Sequence, residues 1–316
     1  MATSGTVTLS TSQDALLRRA FRMLGLIKVG GTRSPEEMDN AAEALNSMLK
    51  EWDALGIGLW LTKSVTLYPE KSEDAYTLGP SGDHATLSGI STETAAAASS
   101  GDSTISVDSA TGIATTYNIG VELDSGDFQW TTVNGAPSGT TVTLTAALTD
   151  DVDDAATVVC YQTKIARPLR IKNPRYKDAS GFERPLDMWS RSQYMGMTDK
   201  DQTSDSPVAV YYDPQRTNGV LYVWPCCDNV DGEILFDAQM PTEILSARTD
   251  EPLITDEWQN VVALNLAALI GIEYPLEVPK QHLAWIEQKA QVGFNRLQNF
   301  DQEVTSIFLS PSARRR

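Results

Sequence analysis

The chain has 316 residues, a net charge of −17 and an apolar fraction of 41%. That length suits about two domains, and the apolar fraction excludes global disorder. The acidity excludes nucleic-acid binding through the bulk surface, because phosphate repels such a surface unless a basic patch is set apart.

No run approaches the ~18 consecutive apolar residues of a membrane span, so none is expected. The opening "MATSGTVTLSTSQD" lacks the charged and apolar regions of a signal peptide, so none is expected there either. Cys160, Cys226 and Cys227 are the three cysteines, and the last two are adjacent, a poor geometry for an ordinary disulfide. The count fits synthesis in a reducing compartment.

In chain order, "STSQDALLRRAFRMLGL" predicts a helix. Ser10 and its neighbours are N-cap candidates, Leu16, Leu17, Ala20, Phe21 and Leu24 share one face, and Gly25 is the stop. "SPEE" opens a second helix with Ser34 as N-cap, Pro35 at the first helical position and Glu37 closing a capping box. Met38, Ala41, Leu45, Met48, Leu49, Trp52 and Leu55 repeat at helical spacing until Gly56. The period then changes to two. "LWLTKSVTLYP" and "DAYTLG" read as strands around "EKSE", so Trp52, Gly56, Gly58 and Trp60 mark a helix-to-strand hinge.

From Ser81 to Thr163 there are eleven acids and no Lys or Arg, whereas Lys164 to Arg191 holds eight bases against three acids. Short Thr- and Val-rich alternating runs fill the acidic stretch, between Gly, Asn and Asp turns. The composition shift predicts an inserted all-β domain, a small sandwich or barrel. Mixed strands follow to about Asp237. "TDEWQNVVALNLAALIGI", with Thr255 as N-cap, is apolar nearly all round, and "PKQHLAWIEQKAQVGFNRLQ" is amphipathic. The tail "SIFLSPSARRR" sets Ile307, Phe308 and Leu309 before Arg314, Arg315 and Arg316.

The expected fold class is therefore α+β: an antiparallel α-helical bundle core, a β-hairpin and strand region, and the inserted β domain. The expected divisions are 1–82, 83–163, 164–254 and 255–316. Each large apolar side chain buried in the helical core would contribute roughly 1.5–3 kcal/mol.

Chemistry-bearing patterns are sparse. His84 and His282 are the two histidines, and both read as surface residues. No H-E-x-x-H or phosphate-binding loop occurs. "DDVDD", Asp150 to Asp154, clusters carboxylates that a calcium ion would favour but lacks the spacing of a calcium loop. Glu122 with Asp124 or Asp127 offers a carboxylate pair to a glycan hydrolase, against a default placement of acids in turns. Lys164, Arg167, Arg170, Lys172, Arg175 and Lys177 form either a partner- or DNA-facing surface or charges alternating outward on strands. Trp189, Tyr194, Tyr211, Tyr212, Tyr222 and Trp224 read as core or interface aromatics before a sugar platform. No catalytic residue, cofactor or metal is assigned.

"ALLRRAFRMLGLI", "SPEEMDNAAEALNSMLKEWDALGIGLWL", "RPLRI", "PLDMWSRSQY", "PVAVYYDPQRTNGVLYVWP" and "TDEWQNVVALNLAALIGIEY" together resemble the head-to-tail adaptors of tailed bacteriophages. The group in question is the packaged-DNA stabilisation, or tail accessory factor, family of short-tailed phages. The resemblance covers roughly 12–80 and 164–300; the insertion at about 83–163 departs from the shortest members.

It implies a structural virion protein made in the host cytoplasm, not an enzyme, forming a ring of about twelve copies under the portal protein. Neighbouring copies, the portal and the tail nozzle or tube are the implied partners. Packaged double-stranded DNA would pass through the ring without sequence-specific binding, and a fibre or spike could attach through the insertion. Ile307–Leu309 and Arg314–Arg316 become a portal-docking tail. The competing expectation is another tail or fibre-attachment component whose β domain binds a ligand or glycan.

Overall fold

The computed structural model describes residues 9–300, in two units: Met1–Leu61 with Thr242–Arg316, and the intervening Thr62–Pro241. Five helices lie among the described residues: α1 (Gln13–Met23), α2 (Pro35–Leu55), α3 (Arg191–Met195), α4 (Gln259–Glu273) and α5 (Lys280–Phe300). All but α3 belong to the unit made from the chain's two ends.

Each helix in that unit begins and ends for a local reason. The Ser12 hydroxyl accepts from the Ala15 N–H to start α1. Ser34 and Glu37 form the capping box of α2, with Pro35 inside it, and α2 stops where Gly56 turns left-handed at φ 77°. α4 starts three residues later than expected: Thr255 only begins a turn, and Trp258 takes the N-cap position without a side-chain cap. The four helices share one apolar cluster, with Leu16, Leu17 and Phe21 of α1, Met38 and Leu45 of α2, Val262, Leu266 and Ile270 of α4, and Ile286 of α5.

That cluster is not the core of the molecule, and the expected α+β fold built on an antiparallel helical bundle core is corrected. Helix accounts for only 26%, and the chain is mostly β-sheet, in several sheets. The strands do not project from a helical core. They bury separate apolar clusters of their own. The helical runs were long and periodic and weighed heavily in the sequence. The strands are two to eight residues each, and they are spread over several sheets.

The intervening unit contains a two-sheet sandwich. Its strands are β1 (Thr62–Leu67), β2 (Ala75–Leu78) and β3 (Ala85–Thr86). After a second set of six come β10 (Arg170–Lys177), β11 (Glu183–Pro185), β12 (Asp187–Met188), β13 (Thr203–Ser204), β14 (Ala209–Asp213), β15 (Gly219–Trp224), β16 (Cys226–Cys227) and β17 (Glu233–Gln239). One sheet has the order β11-β10-β17-β1-β3, the other β12-β14-β15-β2, and β13 pairs with β16. Inward residues alternate as a half-buried strand requires: Ile234, Phe236 and Ala238 on β17, Leu221 and Val223 on β15, Tyr76 and Leu78 on β2, all in one cluster.

The six strands between β3 and β10 are β4 (Gly89–Glu93), β5 (Thr104–Ser106), β6 (Asn118–Glu122), β7 (Phe128–Thr132), β8 (Thr141–Thr143) and β9 (Thr157–Tyr161). They form a sheet β4-β9-β6-β7 and a pair β5-β8. Two single-residue bridges join these pieces, Val133 to Leu144 beyond β7 and β8, and Thr94 to Val107 beyond β4 and β5. The circuit β4-β9-β6-β7-β8-β5 therefore closes on itself as a small barrel, which removes its edges. Ile105, Val107, Ile119, Val121, Val142 and Val158 fill its interior.

Both inner pieces leave and re-enter their hosts at paired positions. Gly89 pairs with Tyr161 where the barrel joins the sandwich, and Thr62 pairs with Gln239 where the sandwich begins and ends.

Candidate functional site

The helix-to-strand hinge is built from four aromatic rings. Gly56 at φ 77° and Gly58 at φ 107° occupy conformations that side chains resist, and a turn of 3-10 helix, Leu59–Leu61, follows. Trp52 and Trp60 both pack on Trp258, with ring centroids 5.5 and 5.9 Å away, and Trp52 also meets Phe294 of α5 at 5.2 Å. The Trp60 indole N–H donates to the Leu253 carbonyl at 3.0 Å. Trp258, buried at 2% exposure, is thus the centre of the site that Trp52, Gly56, Gly58 and Trp60 only outline.

Two polar side chains of α2 escaped the sequence reading. Asp53 is 5% exposed and accepts from the Thr242 backbone N–H at 3.0 Å and from its hydroxyl at 2.5 Å. Asn46 donates to the Leu245 carbonyl and accepts from the Leu245 N–H, both at 3.0 Å, as a neighbouring strand would. Together they hold the segment that returns to the helical unit.

The same unit leaves large apolar side chains in water. On α5, Trp285 is 53% and Val292 46% exposed. The two are seven residues apart and so share a face turned away from buried Ile286 and Ala290. Leu276, between α4 and α5, is 99% exposed. His282 is no free surface residue: its Nε2 lies 2.8 Å from the Met23 carbonyl and its ring stacks near Trp285.

His84 is likewise not a surface histidine. Its ring lies parallel to Trp130 at 3.4 Å, and its Nδ1 is 2.6 Å from the Tyr161 hydroxyl. Burial, with a smaller effect of the Lys164 charge, pushes the imidazole down to about 3, so it is neutral at ordinary pH. With Tyr68, Phe128 and Tyr161 these rings form the joint between barrel and sandwich.

The basic run is dispersed by the fold. Arg170, Lys172, Arg175 and Lys177 lie on β10, with Ile171 and Tyr176 buried between them. Arg175 pairs with Glu183 at 2.7 Å and Lys177 with Glu233 at 2.9 Å, on the two strands flanking β10. Lys164 donates to the Gly82 carbonyl, and Arg167 acts on the Tyr212 hydroxyl. This arrangement is a cross-strand charge ladder more than an anion cradle.

Glu122, Asp124, Asp153, Asp154, Glu93 and Asp231 line an open cleft of about 420 Å³. Burial and the neighbouring carboxylates, Asp153 first, raise Asp124 above the usual carboxylate range; burial and Glu122 raise Asp231. Asp127 does not line this cleft. Among the described residues no group of acids, histidines and cysteines is arranged to hold a metal ion, the Asp150–Asp154 run included. Trp189 stacks on Trp224, and Tyr194 of α3 stacks on Tyr211 of β14, which stacks on Tyr222 of β15. The Tyr194 hydroxyl donates to Asp74 at 2.8 Å.

Ile307, Phe308, Leu309, Arg314, Arg315 and Arg316 lie outside the described residues. Among the described residues no helix is long and apolar enough to cross a membrane. No protein-family model matches this chain, and no curated protein matches it.

Proposed function

We propose that this chain is a structural head-to-tail adaptor of a bacteriophage virion. Copies of it form a ring beneath the portal protein, extend the DNA channel and give the tail a platform. The single observation that supports this reading is the exposed apolar face of the helical unit, Trp285 and Val292 on α5. Apolar side chains grouped on one helix face and held away from their own core are what a heterologous, ring-closing contact uses. The neighbouring copy would cover them.

The acidic surface fits the same role, since a channel for dense phosphate must let it slide. The phrases shared with the adaptor family add the portal and the tail tube as partners, with Ile307–Leu309 and Arg314–Arg316 as the portal-docking segment.

The test is electron microscopy of the purified chain, alone and mixed with portal rings of its phage. A ring of this chain seated on the portal is the expected image. Particles of portal that remain bare at saturating chain would overturn the reading.

A further inference from the structure

α5 has two exposed flanks, one on each side of its buried stripe. At about 100° per residue, Trp285, Lys289, Val292 and Arg296 fall within about 60° of one another, and all four are exposed. The Lys289 ammonium lies 5.8 Å from the centre of the Trp285 ring, over its face. This flank therefore joins apolar bulk to positive charge. Among the described residues neither Lys289 nor Arg296 takes part in an ion pair.

The opposite flank of α5 belongs to a groove. Glu287 and Phe294 lie about 180° around the helix from Trp285, with buried Ile286 and Ala290 between the two flanks. The groove, of about 310 Å³, is shared with α2 and α4. The Trp52 and Phe294 rings line it, 5.2 Å apart. Leu55, Leu269 and Ile272 also line it, at 57%, 40% and 62% exposure. Its charged lining is acidic: Glu51 and Glu287 are both exposed, and among the described residues neither takes part in an ion pair.

The two flanks are complementary in kind, an apolar and basic ridge against an apolar and acidic groove. They lie on opposite sides of one helix, so the ridge cannot enter the groove of its own chain. It can enter that of a second copy. Such a contact is heterologous: each copy gives its ridge to one neighbour and its groove to the other, the repeat from which rings are built.

We infer that the Trp285–Lys289–Val292 flank of one copy seats in the α2–α4–α5 groove of the next, with Trp285 and Val292 against Trp52, Phe294 and Ile272, and Lys289 on Glu51 and Glu287. This packing rests on the ring reading of the function and names the surface that covers the Trp285 face. A tryptophan in an apolar pocket supplies most of the affinity, and the charge contacts fix direction and register.

The experiment mixes two full-length chains, one carrying Val292→Cys and the other Leu55→Cys, with portal rings. A short thiol–thiol cross-linker is added, peptide mapping reads the link, and electron microscopy reads the rings. The expected result is rings on the portal and a link between positions 292 and 55 of different copies. Its yield should stand well above that of a control pair, Val292→Cys with Val29→Cys, since Val29 is 94% exposed and lies outside both flanks. Rings without that excess overturn the packing and leave the adaptor reading standing. The link without rings upholds the packing and overturns the adaptor reading. Neither rings nor link overturns both.

A second measurement exchanges the charges in the same cross-linking chains. Lys289→Glu alone, or Glu51→Lys with Glu287→Lys, is expected to cut the link about tenfold, and all three together to restore it. The three positions are exposed, so the fold of the single chain is left alone. Loss without restoration, or no loss, means that these charges do not meet and overturns the packing.

Discussion

Asp53 illustrates how a single side chain can be misread. On a helix of acids and apolar residues it looks like part of the solvated face, yet it lies one position beyond Trp52 on the buried side. Its partner, Thr242, is 189 residues away, and no local pattern contains that pairing. Asp53→Ala would strand the Thr242 N–H and hydroxyl, so we expect a loss of about 2–3 kcal/mol, read as a lower urea midpoint at unchanged slope. A loss below about 0.5 kcal/mol, the range of ordinary surface changes, would mean that water replaces the contact freely.

His84 is the other case. The folded chain refuses a proton that the unfolded chain accepts near 6.5. Its contribution to stability is therefore complete above that pH and is lost as pH falls from 6.5 toward about 3. His84→Phe keeps the stack on Trp130 without the titration. Its thermal midpoint should fall less steeply than that of the parent chain between those limits. Parallel slopes would contradict the buried, neutral imidazole. The hinge was the most legible residue-scale feature: two glycines between two tryptophans announced the change of period, and both glycines are left-handed.

Among the elements, local signals served well where they were local. Capping residues, proline positions and glycine stops placed α1 and α2, because each acts over a few residues. The alternating Thr and Val runs announced strands in the acidic stretch. The choice between sandwich and barrel was not legible, because closure hangs on two single-residue bridges that alternation does not encode. The β10 cations were legible as outward charges, but their partners on β11 and β17 were not.

The pairing of Gly89 with Tyr161 carries a prediction. Replacing 89–161 by a short Gly-Ser linker should leave the sandwich and helical unit folded, because the chain ends it must join are already side by side. The Tyr68 and His84 rings would be uncovered, so some stability is lost. A single cooperative unfolding transition in circular dichroism is the expected outcome. Insoluble or molten protein would show that the sandwich depends on the barrel.

At the scale of the molecule, the weight given to helices was the error, and its cause is plain. Periodicity over about twenty residues is a strong signal, while many strands of two to six residues are individually weak ones. The assembly reading makes its own prediction here. Trp285→Asp with Val292→Asp changes only exposed positions, so the single chain should keep its thermal midpoint within about 0.5 kcal/mol of stability. Ring formation on the portal should be lost; rings that survive would move the contact elsewhere.

The nesting of one piece inside another also sets a timetable. A ribosome delivers α1 and α2 first, then the sandwich and barrel, and only afterwards α4 and α5. Phe21 and Leu45 must wait about two hundred residues for Val262 and Ile286, on the order of 10–40 s at cellular elongation rates. During that interval the barrel can finish from near neighbours, while the earliest helices are nascent, apolar and unaccompanied. The oldest part of each molecule is the last to be completed, and a chaperone would find its client there.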